Sequence, residues 1–210
     1  MQEIKIKDTF WNLNPLFASE DDIQIEKKRE EWKKSTENFV KKWKKRDDYL
    51  KDPKILKQAL DEYEFWSKNY GTSADELYYF WLRSEQNQND PIIKAKFNKA
   101  EELSTKLGNE MSFFTLKIAK ITQKDQKYFL ENPELKEYKH FLERLFSTAK
   151  YNLSESEEKI MALKSKSSYS LWTDMTSEFI SKEEREVLDE SGKKVKKTFA
   201  DIVSLMNSKN

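Results

Sequence analysis

Three glycines and four prolines in 210 residues deprive this chain of the turn chemistry on which sandwiches, barrels and phosphate-cradling α/β folds depend. Those folds need loop positions with φ > 0 and tight, pre-bent turns. A mainly helical fold remains. Its core has to be carried by few positions, because 37% of the residues are hydrophobic, 37% are charged, and the mean hydropathy is -0.95. So low a value suits disorder, but disordered chains lack aromatics, and this one has 6 Trp, 9 Tyr and 13 Phe. Each of these side chains buries a large apolar area. The expectation is one folded helical lobe over 1–210, of a size that buries roughly 70% of its unfolded surface.

The absence of Cys excludes disulfides, thiolate zinc sites and thiol nucleophiles. Lys and Arg number 39 against 38 Asp and Glu, so no field of one sign favours nucleic acid or anionic lipid. Residues 1–10 are polar with mixed charge, and no uncharged run approaches the roughly 18 residues of a membrane span. These features point to a cytoplasmic protein with neither nucleic acid nor membrane as partner.

Along the chain, Phe10 to Phe17 gathers large apolar groups around Pro15 and reads as an extended docking strap. Ser19 or Asp21 is a candidate cap for a first helix with Ile25, Trp32, Phe39, Val40 and Trp43 on one face. Asp52-Pro53 starts a second helix that keeps its period to Gly71, and Thr72 or Ser73 opens a third through Leu77, Phe80 and Trp81. After a polar loop at Glu85 to Asn89, Asp90-Pro91 begins a central helix, with an apolar stripe running from Ile93 to Ile121. Thr122 to Leu130 forms a short helix, and Asn132-Pro133 caps one carrying Leu135 to Phe146. Ser154 and Glu157 have capping-box spacing ahead of Ile160 and Leu163, and Tyr169, Trp172, Met175 and Phe179 give another amphipathic helix. One hairpin is expected at 183–198, with Gly192 in its turn, and Thr198 caps a last helix over 198–208.

Several strings, in order, resemble one family. They are Trp11-Asn12-Leu13-Asn14-Pro15-Leu16-Phe17, Glu110-Met111-Ser112-Phe113-Phe114 followed by Leu116, and Tyr138 to Leu145. To these are added Leu153 to Ile160, Leu171-Trp172 through Ser177, and the hairpin leading into Thr198-Phe199-Ala200-Asp201. Together they resemble the N-terminal region of the oligoendopeptidase F family, zinc metalloendopeptidases that hydrolyse internal bonds of oligopeptides. The resemblance implies a helical N-terminal lobe, with 111–182 as the oligopeptidase F-type N-terminal domain. This lobe packs on a larger catalytic lobe, absent here, around a channel that admits flexible peptides.

The family chemistry uses H-E-x-x-H, in which two His one helical turn apart hold zinc and the Glu is general base. This chain has a single His. No catalytic, metal or substrate-binding role is therefore carried over to any residue, and no cofactor is expected on this chain; zinc is implied only for the complete family enzyme.

Other candidates have plain alternatives. His140 and Glu143 have i, i+3 spacing but supply at most two ligands, so a surface or packing role is expected. Glu101-Glu102 and Glu183-Glu184 are read as solvated faces. Lys41 to Arg46 around Trp43 is the strongest nucleic-acid candidate, weighed against a helix C-terminus whose cations meet the dipole while Trp43 joins the core. The aromatics Tyr78-Tyr79-Phe80-Trp81 cannot all share one helix face; a core neighbour, the missing lobe and a bound peptide are their possible partners, in that order.

Two functional readings result. One is a non-catalytic N-terminal lobe forming part of a peptide-channel wall, whose partners are the catalytic lobe and, in the complete enzyme, an oligopeptide. The other is a stand-alone helical interaction module without peptidase activity. On the first reading an orphaned apolar contact face is expected, able to drive self-association.

Overall fold

Aspartate, asparagine, threonine and serine side chains placed one residue ahead of a helix accept its first free N–H groups, and six of the expected starts work in this way, among them Thr198, whose hydroxyl accepts from the Asp201 N–H at 3.3 Å. The computed structural model describes residues 11–71, 75–188 and 192–205. Asp52 caps α2 (Pro53–Trp66), Asp90 caps α4 (Pro91–Ala119), Thr122 caps α5 (Gln123–Leu130), and Asn132 caps a two-turn 3₁₀ segment at Pro133–Tyr138. Ser154 and Glu157 close a reciprocal capping box on α7 (Glu155–Ser165).

Other boundaries differ from expectation. The cap of α1 (Ile23–Trp43) is Asp22, neither Ser19 nor Asp21. The Asp22 carboxylate accepts from the N–H groups of Gln24 and Ala18, both at 2.9 Å, whereas Asp21 is engaged by Lys96. The second helix does not stay α-helical to Gly71; its last turn widens over Ser67–Gly71. The segment after Asn132 is not one helix but a 3₁₀ stretch followed by α6 (Lys139–Thr148). α3 (Asp75–Gln86) extends into the expected polar loop, and its candidate caps Thr72 and Ser73 lie outside the described residues, as do Phe10 of the strap, most of the hairpin turn, and residues 206–208 of the last helix.

Two clusters make the core. In the larger one α1, α2, α4 and α6 meet around Phe39, whose ring is edge-on to Phe114 at 5.1 Å, while Tyr63 approaches the same Phe114 at 5.0 Å. In the smaller one the strap docks, with Phe17 edge-on to Tyr79 at 5.4 Å and Leu13 and Leu16 beside it, over Ile25, Phe80 and Ala100. α4 contributes to both clusters and so ties the molecule together. The chain continues through α8 (Leu171–Lys182), β1 (Glu184–Leu188), β2 (Lys194–Thr198) and α9 (Phe199–Leu205). The hairpin is antiparallel, with Val187 opposite Val195, and Gly192 adopts φ 78°, the left-handed conformation for which glycine was assigned there.

Candidate functional site

Beyond Leu142, none of the described residues is buried. A surface helix normally turns its apolar stripe inward; α7 and α8 do the opposite. On α8 the partly covered positions are Asp174, Glu178 and Ser181, preceded by Ser170, and all are polar. Its apolar side chains face out: Trp172 is 64% and Phe179 67% exposed, with Leu171, Met175 and Ile180 beside them. α7 repeats the inversion, with Glu158, Lys159 and Ala162 inward and Ile160, Met161 and Leu163 exposed. Leu188 on the hairpin and Phe199 and Val203 on α9 are exposed as well.

Charged contacts hold this inverted layer to the body. Lys94 of α4 meets Glu178 of α8, Lys166 between α7 and α8 meets Glu101 of α4, and Lys44 lies 3.8 Å from Glu155. Lys182 and Lys94, in that order, hold the Glu178 carboxyl at about 2, well below the usual carboxylate value. Between α3, α4 and α8 these contacts leave a cleft of about 340 Å³, with Trp81 and Glu85 on one wall, Phe97 on a second, and Tyr169 and Asp174 on the third.

The remaining candidates separate clearly. Trp43 is fully buried and its indole N–H donates to Glu62 at 2.9 Å, so it presents no free face to a base. Around it Lys42 pairs with Glu62 and Arg46 with Asp48. Tyr79 and Phe80 enter the smaller core, whereas Tyr78 and Trp81 are each 42% exposed. Glu101 is tied to Lys166, and Glu183 to Arg185. His140 lies on the surface, and Glu143 stands 3.9 Å from Lys139.

The residues present do not fit the zinc that the family resemblance implies. One exposed His and no Cys cannot supply the donor set, and no group of three His, Cys, Asp or Glu suited to a metal gathers among the described residues. Nor is any helix among them long and apolar enough to cross a membrane. Sequence periodicity fixes the stripes of α7 and α8 but not their direction, and it says almost nothing of the cleft. Its only sequence trace is the i, i+4 spacing of Trp81 and Glu85, which places both on one face of α3.

Known proteins resemble this chain in sequence and in fold. The family model for oligopeptidase F matches residues 117–189. The chain is 29% identical over 155 residues to the oligoendopeptidase F homolog of Borreliella burgdorferi, an alignment covering 72% of this chain and 24% of the relative. It is 30% identical over 90 residues to the group B oligopeptidase PepB of Streptococcus agalactiae, covering 41% of this chain and 15% of that protein. The chain thus spans a quarter or less of the length of these relatives. The crystal structure of oligoendopeptidase-F from Enterococcus faecium superposes with a TM-score of 0.70 over 89% of this chain and 35% of that one, at 16% identity, a likeness of fold alone. The chain is similar to the N-terminal region of the oligoendopeptidase F family.

Proposed function

Starting from a chain similar to the N-terminal region of the oligoendopeptidase F family, we propose that it is the non-catalytic lobe of a zinc peptidase of that kind. The outward apolar face of α7, α8 and α9 docks on a catalytic portion, and the two together enclose a channel for oligopeptides. The single observation behind this reading is the inversion of α7 and α8. A helix whose covered side is Asp174, Glu178 and Ser181 and whose bare side is Trp172, Met175 and Phe179 carries the stripe of a buried element, and exposed apolar patches of this kind mark interaction sites. Zinc and its general base belong, on this reading, to the catalytic portion, and the assembly works in the cytoplasm.

The test measures cleavage of an internally quenched oligopeptide by this chain, by a separately expressed portion bearing H-E-x-x-H from the same genome, and by their mixture. The chain alone is expected to be inactive, and the mixture to form a stoichiometric complex with raised activity. Replacing Trp172 and Phe179 by Glu should abolish the complex. Zinc-dependent cleavage by the chain alone would refute the non-catalytic assignment, and failure of the two to associate would favour a stand-alone interaction module.

A further inference from the structure

Around the cleft between α3, α4 and α8 the charges do not cancel. Its ammonium groups are committed: Lys94 to Glu178, which also takes Lys182 at 2.6 Å, and Lys166 to Glu101. Glu85 and Asp174 line the same cleft, and neither has a Lys or Arg partner among the described residues. Glu85 accepts a hydrogen bond from the Gln88 side chain at 3.3 Å, and Asp174 is half-buried, where its field is less screened than in open solvent. Two aromatic rings stand beside these carboxylates with much of their surface free, Trp81 at 42% and Tyr169 at 71% exposure.

An aromatic ring with a carboxylate is how this part of the molecule already holds a cation. The Lys166 ammonium stands 5.8 Å from the centroid of Phe97 while it pairs with Glu101. The opposite walls offer the same two ingredients without the cation. Rings attract ammonium and, still better, stack with planar guanidinium, and 340 Å³ falls within the range of small-ligand pockets.

The geometry points to this cleft as a binding site for an organic cation, the guanidinium or ammonium of a basic side chain on an oligopeptide, held between Trp81 and Tyr169 and charge-matched by Glu85 and Asp174. The oligopeptide as carrier rests on the function proposed above; the cation site itself does not.

The experiment titrates the full chain at low salt, by isothermal calorimetry, with arginine amide and with three blocked pentapeptides, Ala-Ala-Xaa-Ala-Ala, in which Xaa is Arg, Gln or Glu. The Arg peptide should bind about ten-fold more tightly than the Gln peptide, and the Glu peptide most weakly. Asp174→Asn and Trp81→Ala should each weaken the Arg peptide about five-fold. If Trp81→Ala perturbs the fold, Asp174→Asn alone decides, since Asp174 has no ion-pair partner to lose. Equal binding of the three peptides, no binding by any of them, or an Asp174→Asn variant that binds the Arg peptide like the parent overturns the site. Binding of arginine amide without the Arg peptide overturns the peptide carrier. If complex formation and activity succeed in the mixing test while no arginine probe binds, this site falls and the docking of the lobe stands.

Discussion

At the scale of single residues, two buried polar groups matter more than their chemistry suggests. Thr36 is fully buried in α1; its hydroxyl donates to the Trp32 carbonyl at 3.0 Å and accepts from the Trp66 indole N–H at 2.9 Å. It thereby stitches α1 to α2 through the middle of the aromatic core. Thr36→Val keeps the volume but strands the Trp66 donor, and urea unfolding should show a loss of about 1–2 kcal/mol with an unchanged slope. Glu76, 4% exposed, receives both the Nε and a terminal nitrogen of Arg29 and so joins α3 to α1. Glu76→Leu leaves Arg29 without that partner and should cost about 3 kcal/mol, whereas the double change Arg29→Leu with Glu76→Leu should recover most of it. Neither residue was singled out from the sequence. A Thr or Glu at an inward position is visible by its spacing, but whether it is satisfied depends on a partner 30 or 47 residues away.

At the scale of elements, what the sequence disclosed was local. The starts at Asp52, Asp90, Asn132 and Ser154 were readable because a side chain and the backbone two or three residues on settle them without help from the rest of the fold. The α1 start was missed by one residue because three acidic or hydroxyl groups compete there and the Lys96 ammonium, on α4, takes Asp21 out of the contest. The direction of the α8 stripe was illegible for a different reason: periodicity fixes which residues share a face but not what that face meets. Glu178 is the element-scale test. Its pKa is depressed to about 2, so the α4–α8 tether is fully formed above pH 4.5, the ordinary value, and is lost as pH falls through about 2. Amide hydrogen exchange across α8, corrected for intrinsic rates, should be faster in Glu178→Gln than in the parent at pH 5. The gap should close as both approach pH 2; an equal gap at both ends would mean that the ion pairs do not hold α8.

At the scale of the whole molecule, the two parts of the described chain are held by opposite physics. Up to Phe146, stability comes from burying aromatic and aliphatic side chains; beyond it, α7 and α8 meet the body through ion pairs on their inner side and keep their large apolar groups outside. Salt separates the two. Screening weakens surface ion pairs, while sulfate strengthens apolar association. In the absence of a partner the outer face should therefore bring copies of the chain together, and sedimentation velocity should show concentration-dependent association that rises with ammonium sulfate. Trp172 and Phe179 are exposed and absent from both core clusters, so replacing both with Glu should return the chain to a monomer without lowering its melting temperature. A lower melting temperature in that variant would place the two side chains in the fold's own packing and remove the basis for an interface. A parent that stays monomeric in sulfate would show that the inverted face is not sticky enough to need a partner, and the docking of this lobe would have to rest on charge instead.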